Sequence, residues 1–349
     1  MTSWLDERAA DHEFSGVVMG WLGGSPVFSH AAGLAHRGLG VPMTMDHRFR
    51  VASVTKMITA TAVMRLVERE VLGLDTAVVD LLDAASRPTS VTPNMTIHHL
   101  LSHTSGLANY HDEDDETFDS YMACWDVVPP QLAREPADLL PLFVDKPALF
   151  APGDRYSYAD ANYILLGMIM AEVTGSTFRQ VATEEVLAPA GMTSSAFDPL
   201  DSDPDALAVG YQTSDEPSST WRTNTYANAV GGMPDGGLIT TAADLGRFID
   251  AFRGGELVSA ESGAAMLTVH GRSDEDEQEH YGYGMELWVD EHDEVGIFGH
   301  SGSDPGISTI VSHFVRDEAT IVTLCNYDRG SWAASKKLVA GMGLTEPRD

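Results

Sequence analysis

Ser53, Val54, Thr55 and Lys56 place a hydroxyl and an amine three residues apart at the start of an apolar run. Residues at i and i+3 of a helix share a face, so the two head groups can meet. A serine hydroxyl attacks a carbonyl well only when a neighbouring base takes its proton. Lysine serves as that base when burial and nearby positive charge disfavour its ammonium form. Met57, Ile58, Val63, Met64, Leu66 and Val67 give the segment from Ser53 to Glu70 an almost wholly apolar circumference, which supplies the burial. The N–H of Ser53, at the helix start, belongs to the donors with no intrahelical partner and can hold an oxyanion. Taken alone, the pair reads more simply as a capping serine with a snorkelling lysine.

Two later segments add complementary groups. Tyr158 and Asp160 precede a second apolar helix expected from Asn162 to Thr174. A phenol beside a lysine ammonium is acidified and can relay protons, although such a tyrosine can equally pack beneath the helix with the aspartate as its cap. Gly299-His300-Ser301-Gly302-Ser303 is expected in a turn between strands. There the Ser303 N–H can be a second oxyanion donor, Gly302 can admit close backbone approach, and His300 can position a substrate carboxylate or carbonyl.

The order and spacing of these three segments resemble the serine β-lactamase and penicillin-binding protein superfamily. The branch in question contains class C β-lactamases, D-alanyl-D-alanine carboxypeptidases, D-aminopeptidases and related esterases. Phe49 to Lys56 is similar to that family's nucleophile segment, and Leu100-Leu101-Ser102-His103-Thr104-Ser105-Gly106-Leu107 to its helix-to-loop signature. Pro189-Ala190-Gly191-Met192 and the run from Gly236 to Leu245 also resemble it, so the likeness extends from about residue 14 to 327. The resemblance implies that Ser53 is the nucleophile, Lys56 the proton acceptor and Tyr158 the group that hands a proton to the leaving group. It implies an oxyanion hole from the N–H groups of Ser53 and Ser303, with Asp160, His300 and Gly302 contacting substrate, and no metal or cofactor.

Two departures bear on specificity. Asp160 stands where the family has Asn, so it favours a cationic or hydroxyl-bearing group or pairs with Lys56. His300 stands where class C β-lactamases have Lys, removing a permanent positive charge that a penicillin carboxylate would meet. These features favour an esterase or amidase working through an acyl-serine. A D-alanyl-D-alanine carboxypeptidase, D-aminopeptidase or weak β-lactamase is the runner-up, and a non-catalytic binding descendant the third reading. No G-x-S-x-G elbow of an α/β-hydrolase occurs. His99 and His103, with His98 nearby, have zinc-like spacing but lack the HExxH glutamate.

The elements that must position these groups are read from periodicity. A helix from Ser3 to about His12 precedes strands at Phe14–Trp21 and Pro26–Gly33, flanking the turn Gly23-Gly24-Ser25. Helices and long loops follow, including one capped by Ser176 and another from Thr241 to Phe252. Strands return at Tyr281–Val289, Val295–Gly299, Ile307–Val315 and Ala319–Asn326, before a last helix over 331–340. The expected fold is α/β of the α+β type. An antiparallel sheet from both chain ends (residues 1–50 and 255–349) is flanked by helices and carries an inserted helical lobe (51–254).

Acidic residues number 52 against 21 basic, a net charge of −31. Such a surface repels phosphate backbones and anionic lipid heads, leaving a small molecule or short peptide as the expected partner. The oligomeric state is not legible. The acidic runs at 112–116 and 274–277 read as solvated loops. Cys124 and Cys325 form no disulfide framework, and the first residues lack a basic start and apolar run, so a cytoplasmic location is expected.

Overall fold

The computed structural model describes residues 1–111, 118–212, 221–273 and 279–345, so the acidic runs at 112–116 and 274–277 lie outside the described residues. After helix α1 (Thr2–Ala10), the chain forms a hairpin of β1 (Gly16–Leu22) and β2 (Ser25–Ala32). Gly23 and Gly24 turn it with φ of +54° and +74°, a region open to glycine at no steric cost. Strands resume late, as β3 (Gly271–Arg272), β4 (Glu279–Tyr281), β5 (Glu286–Val289), β6 (Val295–Asp304), β7 (Ile307–Phe314) and β8 (Ala319–Cys325). They form one antiparallel sheet in the order β2-β1-β8-β7-β6-β5-β4-β3, in which β1 lies directly beside β8. Both ends of the chain thus build the sheet, in agreement with the expected fold class.

Alternation along these strands divides the core. Val17, Val322 and Leu324 face a large apolar cluster shared with α2 (Thr55–Glu68), α3 (Asp160–Thr174) and α4 (Ala242–Arg253). Val18, Ala319 and Ile321 face a smaller cluster under α1 and α5 (Ser331–Met342). Both α2 and α3 are buried on nearly every side, as their apolar circumference requires.

Three local expectations are corrected. The single strand expected over Tyr281–Val289 is two, β4 and β5, joined by a turn with Gly284 at φ +70°. A Cβ on Gly284 would approach the Lys56 carbonyl oxygen at 2.8 Å, so this turn presses on α2 beside the lysine. The strand expected to stop at Gly299 continues to Asp304. His300 through Ser303 therefore lie on a strand paired with β7 along its length, not in a turn. The helix expected to be capped by Ser176 is capped by Thr177, whose hydroxyl accepts from Gln180 N in a capping box.

Asn326, just after β8, ties the two chain ends together. Its side-chain amide donates to Leu34 O (3.1 Å) and Val209 O (2.8 Å), and its N–H donates to Ser15 O (2.9 Å). Asn326→Ala removes two hydrogen bonds, leaving Leu34 O with the Ser15 hydroxyl and Val209 O without its side-chain donor. Urea unfolding should show a loss of about 2 kcal/mol in stability, at an unchanged slope.

Candidate active site

Ser53 lies in a single 3₁₀ turn, Ala52–Val54, that precedes α2. The turn is held from both sides. Val51 N donates to Leu238 O (3.2 Å), Thr309 Oγ1 donates to Val51 O (2.9 Å), and Leu238 N donates to Thr55 Oγ1 (3.1 Å). Ala52 is forced to a φ of +46°, a strained value for a residue with a Cβ. The kink sets Ser53 against the edge of β6.

The second residue of α2, Lys56, is fully buried. Its Nζ donates to Ser53 Oγ at 2.9 Å, to Asp160 Oδ1 at 2.5 Å and to Asp235 O at 3.0 Å. The burial expected from the apolar helix is present, and the charge closest to this amine is the Asp160 carboxylate. Burial works to raise the Asp160 carboxyl, but Lys56, and then His111 at 3.6 Å from Oδ2, pull it down to about 2. Asp160 is committed to the lysine rather than offered to substrate.

Tyr158 reaches the same place from the loop before α3. Its ring centroid lies 4.9 Å from Lys56 Nζ. The platform beneath it is His103, stacked at 4.3 Å with an interplanar angle of 29°. His103 Nδ1 accepts from Ala159 N and from the Asn162 side chain, both at 3.1 Å, and its carbonyl accepts from Ser157 N (2.9 Å). An imidazole that accepts at Nδ1 carries its proton on Nε2 and is neutral. Burial, and then the Lys56 charge, keep its pKa well below 6.5.

The β6 edge completes the group. Ser301 N donates to the Glu286 carboxylate (2.9 Å), so this N–H points away from β7. Alternate residues of a strand present their N–H to the same edge, and Ser303, two residues on, therefore faces the Ser53 turn. A Cβ on Gly302 would lie 2.3 Å from Val51 O, 2.5 Å from Thr309 Oγ1 and 3.2 Å from Ser53 N. Gly302 thus admits the protein's own nucleophile turn rather than a ligand. His300 is corrected in the same way. Its Nε2 meets the Tyr281 hydroxyl at 2.9 Å, its Nδ1 meets Ser301 O at 2.6 Å and Glu286 Oε1 at 3.1 Å. Burial and then Lys56 push its pKa down to about 3, so it is a neutral wall residue with both nitrogens engaged.

Ser53, Tyr158 and Ser303 line two cavities at once, which are two arms of one cleft. The outer arm runs past Tyr156, Glu279, Tyr281 and Glu286. The inner arm is walled by Tyr110, Tyr121, Trp125, Asn228, Asp235 and Asp304. These inner residues were not singled out from sequence. A charged Asp235 between Pro234 and Gly236-Gly237 was the available signal. The three clustered histidines diverge: His98 Nδ1 meets the Tyr283 hydroxyl, His99 caps Thr96 N, and His103 carries Tyr158. Among the described residues no group of three or more His, Cys, Asp or Glu could hold a metal ion. None of the described helices is long and apolar enough to cross a membrane.

A hydroxyl, a buried amine and a phenol gathered beside the β6 edge on this fold define a serine hydrolase. The family model described as Beta-lactamase matches residues 1–340, and the chain belongs to that family. It is 26% identical to penicillin-binding protein 4* of Bacillus subtilis, over 96% of this chain and 74% of the relative. It is 36% identical to esterase EstB of Burkholderia gladioli, over 54% of this chain and 47% of the esterase. A penicillin-binding protein from Bacillus halodurans superposes with a TM-score of 0.88 at 32% identity, covering 96% of this chain and 99% of that one.

Gly302→Ala sets a methyl group between two backbones that have no room for it. Displacing β6 from the Ser53 turn by even an ångström should slow fluorophosphonate labelling of the folded protein by roughly 100-fold. Wild-type labelling rates in a variant with a native circular dichroism spectrum would contradict this account of the β6 edge.

Proposed function

We propose that the protein is an esterase or amidase that cleaves its substrates through an acyl-enzyme on Ser53. The observation that carries the reading is the 2.9 Å contact between Lys56 Nζ and Ser53 Oγ, at the junction of the two arms. Ser53 Oγ attacks the carbonyl carbon, and the N–H groups of Ser53 and Ser303 receive the developing oxyanion. The serine proton passes to the Lys56–Tyr158 pair, and Tyr158 returns it to the departing alcohol or amine as the carbonyl re-forms. Water then attacks the acyl-serine. Its proton follows the same route back to Ser53 Oγ, and the acid leaves.

The outer arm argues against a dedicated β-lactamase or carboxypeptidase, whose substrates present a carboxylate. Among the described residues lining it there is no lysine or arginine, while Glu279 and Glu286 are there and His300 is neutral. p-Nitrophenyl acetate should accordingly be hydrolysed and nitrocefin left intact. Rapid nitrocefin turnover would reverse the ranking, and failure of Ser53→Ala to abolish ester hydrolysis would overturn the mechanism.

The Lys56–Asp160 pair predicts a pH effect with a definite sign. Burial raises the Asp160 carboxyl but Lys56 holds it down to about 2, so the pair's stabilisation is complete above the ordinary carboxylate value and is lost as pH falls toward about 2. The stability gap between wild type and Asp160→Asn should therefore shrink as the protein is acidified. A gap in melting temperature that stays constant down to acid pH would remove the pair from the acid titration.

A further inference from the structure

One side chain closes the inner arm. Trp125 walls that arm, and the same indole walls a separate surface cavity together with Met122, Pro130 and Tyr226. A single ring thus stands between the nucleophile's cleft and a second opening. Trp125 is 8% exposed, and its Nε1 donates to Ala227 O at 3.2 Å. That bond latches the indole to the loop that carries Asn228 and Ala229, which line the arm as well. Trp125 and Tyr121 stand four residues apart on the helix Phe118–Val127, so they share the face turned toward the arm. Tyr121 is fixed in turn by donating to Asp304 at 2.8 Å. The partition is therefore held at its root by a helix and at its polar tip by a hydrogen bond.

The two arms differ in what they can take. The leaving group departs before water attacks the acyl-serine, so it needs a way out to solvent. The wider outer arm offers one. The acyl group stays tethered to Ser53 through both steps, and a closed arm suits it. Against a packed wall each surplus methylene must displace side chains, which is unfavourable.

We propose that Trp125 sets the length of the acyl group: the inner arm takes short acyl groups such as acetyl, and the indole excludes chains as long as hexanoyl. This rests on the acyl-serine reading above and adds which half of the substrate is selected, and by which side chain. Removing the indole joins the inner arm to the surface cavity. Met122 and Pro130 then give an alkyl chain an apolar path to solvent.

Two ester series test this. p-Nitrophenyl acetate, butyrate and hexanoate vary the acyl half against a constant leaving group. Ethyl, butyl and hexyl acetate vary the leaving group against a constant acyl half. In the wild type kcat/KM should fall by about tenfold or more from acetyl to hexanoyl, the scale on which a packed pocket reads surplus methylenes, and by less than about threefold across the alcohols. In Trp125→Ala the hexanoate-to-acetate ratio should rise by about tenfold or more, and the ratio cancels any loss of the shared chemistry. Trp125→Phe leaves a smaller ring in place and should fall between the two. It carries the test should the alanine variant fail to fold. Equal rates for acetate and hexanoate in the wild type, or discrimination on the alcohol side instead, would overturn the inference while leaving the hydrolase reading intact. An unchanged ratio in the folded variants would remove Trp125 as the determinant. If no ester is cleaved and no fluorophosphonate labels Ser53, the acyl-serine reading itself falls.

Discussion

A lysine head group with no access to solvent holds this site together. Lys56 Nζ is the common donor to the Ser53 side chain, to the first residue of α3 and to the loop before the Gly236-Gly237 run. Two segments, 104 and 179 residues further along the chain, are thus pinned to the nitrogen beside Ser53. Burying an ammonium is costly unless a counter-charge and hydrogen bonds accompany it, and removing one partner of such a pair typically costs about 3–5 kcal/mol. The surroundings follow from that constraint. The carboxylate must be at Asp160, the turn at Gly284 must close over the helix, and His103 and His300 must stay neutral rather than add positive charge beside it.

That constraint also separates the roles of the acidic groups. One carboxylate is paired with Lys56, and so contributes little field to the cleft. Glu286 anchors the β6 edge through the Ser301 N–H and hydroxyl. Asp235 has neither duty and accepts from the Tyr110 hydroxyl instead. The electrostatic character of the cleft is therefore set by which carboxylates are left over, not by the −31 total of the chain.

Much of this was legible in the sequence where the signal is local. The three-residue spacing of Ser53 and Lys56, the apolar circumference of α2 and α3, and the strand pairs at both ends all reflect neighbours along the chain. Signals that depend on distant partners were not legible. The strand through His300 and Ser303 was missed because glycine and serine weaken strand propensity, and only pairing with β7 shows it continuing. Gly302 looked like a gap for a ligand, since no sequence feature tells which backbone will fill it. Tyr110 and Asp235 lie 125 residues apart, and their contact has no periodic trace. His103 sits in a recognisable segment, yet its role under Tyr158 depends on a positive φ of 55° and a stacked ring.

The pairing of β1 with β8 has a consequence for how the molecule comes into being. The opening hairpin emerges from the ribosome with an unfilled edge, and that edge is satisfied only by a strand made some 300 residues later. The partners of Lys56, at residues 53, 160 and 235, are all made before the β6 edge that carries Ser303. In a nascent chain of this topology the cleft is therefore completed last, in one late, long-range closure.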